Sequence, residues 1–269
     1  MLKQLRFDLY KIVKSKTIKI FLIVSAIVCL INPLSLVVER VVAGESWKLK
    51  SPFFNSLSIG RSPLFLRELV MIFPLVFCVR DFNSGFIKNV YSGVNKFYYV
   101  LSKIICILLY ALVLYIVYFL TSLLIHLIFY NNKVYVPTKL FSIHFGFYIV
   151  QQLLIVLAWV AMGCVVMLIT ILCKKEFISA IVILPYGLYV YNVLTTPLQN
   201  LLNYIYKSPR LWLDFVTFQP FRLSEKIFET AYYQPGMQIF MNWMYVVAIV
   251  GYIGLSLLLS WLLVRKKNV

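Results

Sequence analysis

Hydrophobic residues occur along this chain in two patterns. Residues 2 to 14 place Leu2, Leu5, Leu9, Ile12 and Val13 within an arc of about 100° on a helical wheel, with Lys3, Lys11 and Lys14 elsewhere on it. This spacing predicts an amphipathic helix lying on a membrane. Beyond it come six apolar stretches, at 18–38, 59–79, 101–129, 145–172, 177–195 and 243–264. About 20 helical residues cross a hydrocarbon core of about 30 Å, so each is read as a membrane span. The second is the weakest, because Leu69 to Val79 is short and extension outward to Ile59 brings in Arg61, Arg67 and Glu68. Lys174, Lys175 and Glu176 separate the fourth span from the fifth.

The apolar run from Ile20 to Ile31 is also the length of a signal-peptide core, but no small-residue cleavage site follows near Asn32 and Pro33, so 18–38 is read as a retained span. Residues 196 to 242 carry Pro197, Pro209, Pro220 and Pro235 between short amphipathic pieces. Leu198, Leu201, Leu202 and Ile205 keep helical spacing, and Ser224 can cap a turn bearing Ile227 and Phe228. Such pieces are too short to span and are expected to lie at the outer leaflet. The predicted fold is all-α: a single polytopic membrane domain over residues 1–269, with six spans, an N-terminal interfacial helix and a broken helical region before the last span.

Composition agrees with this pattern. Of 269 residues, 62% are hydrophobic and 13% charged, against roughly 45–50% and 25% in soluble domains, so a soluble globular protein is excluded. The formal net charge of +17 would suggest nucleic acid in a soluble protein, but here the cations flank apolar runs. Fifteen Lys and Arg fall in residues 1–19, 80–103, 174–175 and 265–267, and eleven in the longer segments 39–67, 130–144 and 196–242. Cation density therefore places the first set, with both termini, in the cytoplasm, facing the anionic leaflet.

Catalytic signatures are absent. None of the ten glycines is followed by lysine, so the chain has no phosphate-binding loop and is not expected to hydrolyse ATP itself. His126 and His144 are isolated, and Cys29, Cys78, Cys106, Cys164 and Cys173 form no CxxC pair, so neither a metal site nor a disulfide framework is indicated. Ionisable groups near the membrane interior are nearly confined to Arg67 and Glu68. Both are read either as headgroup-zone residues or as an outer gate or substrate contact. Successive residues point about 100° apart on a helix, so the two are not expected to pair with each other. Gln151, Gln152 and Asn192 are further polar candidates, either as interhelical glue or as substrate contacts.

The segment from Arg80 to Lys103, RDFNSGFIKNVYSGVNKFYYVLSK, is the extended polar link on the predicted cytoplasmic side. Asp81 after the second span, Gly85, Lys88 with Asn89, a Ser92-Gly93 turn and Ser102-Lys103 opening the third span resemble ABC-2 type permeases. The overall layout is similar too, although Asn95 stands where that family often has arginine. The resemblance implies a permease subunit that exports an amphipathic substrate, such as a peptide or toxin. It also implies a second permease chain, same or homologous, and separate ABC ATPase subunits that bind ATP and Mg. Asp81, Gly85, Lys88 and Asn89, with the Lys174, Lys175 and Glu176 turn, would then couple to those ATPases. No cofactor is expected in this chain. The alternative is a membrane immunity or sensor protein that binds a peptide or lipid without transporting it.

Overall fold

The computed structural model of the chain describes residues 2–42, 66–83, 95–129, 138–173 and 238–266, together with 220, 223, 224 and 227. They form six long helices: α1 (Leu2–Lys14), α2 (Lys16–Val42), α3 (Leu66–Asn83), α4 (Lys96–Phe129), α5 (Thr138–Cys173) and α6 (Gln238–Lys266). Helices α2, α4, α5 and α6 contain the stretches read as spans at 18–38, 101–129, 145–172 and 243–264. α3 holds the latter two thirds of 59–79 and runs on through Asp81. The stretch at 177–195 and most of the 196–242 region lie outside the described residues. From the latter, Leu223, Ser224 and Ile227 are helical and buried, and both apolar side chains join the core.

Among the described residues, three helices are long and apolar enough to cross a membrane, over 96–125, 152–173 and 243–265. Their outward faces are apolar: Val113, Ile116, Leu120 and Leu124 on α4, and Val247, Val250, Leu255 and Leu258 on α6, are all exposed. Contiguous exposed apolar surface of this kind is what lipid, rather than water, would cover.

Local chemistry sets the helix boundaries. Ser15 separates α1 from α2. Its N–H donates to the Lys11 carbonyl at 3.0 Å, and its hydroxyl accepts from the Ile18 N–H at 3.4 Å, so one residue continues the first helix and caps the second. Asn95 starts α4, its side-chain oxygen accepting from the Phe97 N–H at 3.0 Å.

Helix α4 touches each of the other five helices, α5 packs on α3, α4 and α6, and α2 packs on α3 and α4. Where α5 meets α3 and α4, Gly163 permits the approach: a Cβ there would lie 2.7 Å from Ile107 Cγ2 and 3.7 Å from both Pro74 Cγ and the Val70 carbonyl oxygen. Pro74 has no N–H, so the Val70 carbonyl four residues earlier lacks its usual helical donor, and that carbonyl lies beside the glycine. A second contact joins α2, α3 and α4 through aromatic rings: Phe73 stacks on Tyr110 at 4.2 Å between centroids and on Phe77 at 5.4 Å, with Phe21 against both Phe73 and Tyr110. Polar bonds accompany it, Ser25 Oγ lying 2.8 Å from Tyr110 Oη and Thr121 Oγ1 donating to the Cys29 carbonyl at 3.0 Å. The five cysteines are free thiols.

Candidate functional site

Helix α1 meets the bundle through its polar side. Gln4, Asp8 and Ser15 are buried and Lys11 nearly so, whereas Leu2 is 73% and Val13 63% exposed, with Leu9 and Tyr10 also open. Gln4, Asp8, Lys11 and Ser15 follow each other by four, three and four residues, which places them on one helical stripe beside the leucine stripe. The most buried side of this helix is thus its polar one. Leu5 and Ile12 beside it are partly buried against the core, and Leu2, Leu9 and Val13 are left outward, between exposed Lys3, Arg6 and Lys14 and the flank of the bundle.

The inward stripe ends in a cluster of four charges. Lys103 Nζ of α4 lies 2.6 Å from Asp8 Oδ1 of α1 and 2.6 Å from Asp81 Oδ2 of α3, so one ammonium ties three helices. Lys11 of α1 pairs with the other Asp81 oxygen and donates to the Phe77 carbonyl at 3.2 Å. Tyr99 Oη donates to Asp81 Oδ2 at 3.0 Å and Ser102 Oγ to Asp8 Oδ2 at 2.6 Å, so every carboxylate oxygen has a donor. The Phe77 ring closes the site, with Lys103 Nζ 4.2 Å and Lys11 Nζ 5.1 Å from its centroid. Asp8 and Asp81 are 0% and 1% exposed.

Two acids and two lysines make the cluster neutral, which is how four charges are tolerated in a buried place. Burial alone would push the Asp81 carboxyl up. The ammonium groups of Lys103 and Lys11 outweigh that and hold it below the ordinary carboxylate range. Lys11 shifts the other way: burial, followed by repulsion from Lys103, lowers its pKa against the opposing pull of Asp81.

Of the residues singled out in the sequence, Ser102, Lys103 and, from the expected coupling set, Asp81 enter this cluster. All three are buried and bonded inside the chain rather than displayed. Gly85, Lys88, Asn89, Lys174, Lys175, Glu176 and Asn192 lie outside the described residues, and so does the Gln151 side chain, whose backbone belongs to α5. Gln152 is buried at 4% exposure, and neither amide atom has a hydrogen-bond partner among the described residues. Arg67 and Glu68, half-buried in the first turn of α3, correct an expectation: they pair with each other. Arg67 Nε and Nη2 donate to Glu68 Oε1 at 3.2 and 2.8 Å. The long arginine stem lets the guanidinium swing across the 100° between successive side chains, and the pairing removes an isolated charge from a membrane-adjacent turn. Asp8, Lys11 and Tyr99 had not been singled out. For Asp8 and Lys11 the signal was the polar stripe of residues 4, 8, 11 and 15, obscured by the stronger leucine stripe beside it; nothing local marks Tyr99.

These features define a class: an all-helical protein with membrane-length helices and an amphipathic N-terminal helix bonded to the bundle through buried charges. The chain matches no protein-family model and no curated protein.

Proposed function

We propose that the chain is the transmembrane permease subunit of an ATP-driven ABC exporter of the ABC-2 type, moving an amphipathic substrate, a peptide or toxin before others, out of a bacterial cell. In this reading it crosses the cytoplasmic membrane six times with both termini inside, pairs with a second permease chain, and takes its energy from separate ATPase subunits that bind ATP and Mg. The observation that supports it is the setting of residues 84–94. This polar segment, with Gly85, Lys88 and Asn89, runs between the end of α3 and the start of α4, and the interfacial helix α1 is bonded to both of those helices beside it. An ATPase pressing on such a segment would act on three helices at once, as switching between two packed arrangements requires.

The test is purification of the tagged chain in mild detergent from cells that also express the neighbouring reading frames, followed by assay of Mg-ATP hydrolysis. A co-purifying subunit with a phosphate-binding loop and ATPase activity is expected. A folded chain that never retains such a subunit would overturn the permease reading in favour of a non-transporting immunity or sensor protein. Topology has its own check: a cysteine at Ser92 should react with an impermeant maleimide only in opened cells, and one at Ser56 or Ser208 in intact cells.

A further inference from the structure

We propose that Asp8, Lys11, Asp81 and Lys103 are positioning residues: together they form a joint that makes α1 travel with the adjoining ends of α3 and α4 as one body when the segment between those helices is pushed. The inference rests on the permease reading and deepens it.

Stability alone does not account for four buried charges. Well-packed apolar side chains of similar volume hold a buried site as well as an ion cluster or better, and this chain has apolar residues in abundance. What ionic contacts add is a fixed register, because each requires one donor against one oxygen. Helix α1 has reason to slide. Its exposed Leu2, Leu9 and Val13 would rest equally well anywhere along a lipid interface. The cluster removes that freedom at three points: Lys11 holds α3 through Asp81 and the Phe77 carbonyl, Asp8 holds α4 through Lys103 and Ser102, and Lys103 joins α3 to α4 through Asp81.

The location makes the joint specific. Asp81 stands three residues before position 84, and Tyr99, Ser102 and Lys103 stand within nine residues after position 94, so both ends of the 84–94 segment are tied to α1. Ser15 then carries the tie onward, since its N–H and hydroxyl leave no free residue between α1 and α2. A push on the segment therefore reaches α1, α2, α3 and α4 together, rather than bending α3 against α4.

The experiment uses the complex with its ATPase subunits in vesicles of phosphatidylglycerol and phosphatidylethanolamine, with Cys173 changed to Ser and spin labels on two exposed positions, Phe7→Cys in α1 and Leu109→Cys in α4. Distances are measured without nucleotide and after trapping with ATP, Mg and vanadate. In the otherwise native chain, the distance from α1 to α4 should stay constant while that from α1 to a label on the ATPase subunit shifts. In the charge-free variant Asp8→Leu/Lys11→Met/Asp81→Leu/Lys103→Met, in which no charge is left unpaired, the α1 to α4 distance should change or broaden on trapping. If that variant does not fold, Lys11→Met/Asp81→Leu keeps the Asp8–Lys103 pair and should free α3 alone, read from a label at Leu75→Cys. A charge-free variant that keeps the native constant distance overturns the joint. A native complex with no ATPase subunit or no nucleotide response overturns the permease reading instead.

Discussion

Helix α3 is held at two places by opposite means. Near its middle, Pro74 and the Val70 carbonyl lie against Gly163, a joint made by the absence of a side chain. Near its end, Asp81 is held by two lysines and a tyrosine, a joint made of charge. The glycine joint gains from dispersion and tolerates no added atoms, whereas the charged joint tolerates no missing partner. The difference lies in how each fails: overpacking costs in proportion to the atoms forced in, while an orphaned buried charge costs nearly all at once.

The largest expected effect is therefore Lys103→Met, which leaves Asp8 with the Ser102 hydroxyl in place of an ammonium, while Asp81 keeps Lys11 and Tyr99. It should destabilise the helix assembly by about 3–5 kcal/mol. The rate at which maleimide reaches buried Cys78 in micelles measures this, and an unchanged rate would break the comparison. At the other joint, Gly163→Leu forces a side chain into space where even a Cβ meets Ile107, and should cost about 1–3 kcal/mol by the same assay.

The pH dependence of the two joints should also differ. The folded Asp81 carboxyl titrates below its unfolded value, so its contribution is fully present above about pH 4 and is lost as the pH falls through the folded value. Lowering the pH from 7 through that folded value should then open Cys78 to a pyridyl disulfide, which reacts with thiols in acid, while Cys164, beside the glycine joint, stays protected. Equal exposure of both would contradict the separation. The smallest effect is expected in α6: Gly251→Ala and Gly254→Ala add a Cβ that meets nothing within 4 Å among the described residues and should leave stability unchanged or raise it by about 0.5–1 kcal/mol through helix propensity.

Much of the architecture was legible because a helix in lipid needs no partner to declare itself. Long apolar runs identified α2, α4, α5 and α6, and the leucine spacing identified α1. Which helix sits at the centre was not legible. The membrane-length stretches of α5 and α6 are both strongly apolar, yet 78% of the first is buried and 17% of the second, because lipid and protein interior ask for similar residues. Asp81 and Lys103 were noticed, but as parts of a polar link, since nothing local shows that Asp8 and Lys11 complete them. The partners are separated by 95 and 70 residues. The Arg67–Glu68 pair was missed for the reverse reason, a rule about helix directions applied to a side chain long enough to escape it.

That separation in sequence gives the charged joint an order of assembly. Asp8 and Lys11 leave the ribosome first, and Lys103 follows about 95 residues later, roughly 5–20 s at about 5–20 residues per second. Through that interval Asp8 has no ammonium of α4 to meet, and for most of it Lys11 lacks Asp81 as well, so α1 must wait in water or among headgroups while α2 and α3 are being placed. Closure of the cluster then marks the moment when the first four helices have all arrived, and a nascent chain stalled before residue 103 should leave its N-terminal helix held to α3 alone, with Asp8 unpaired.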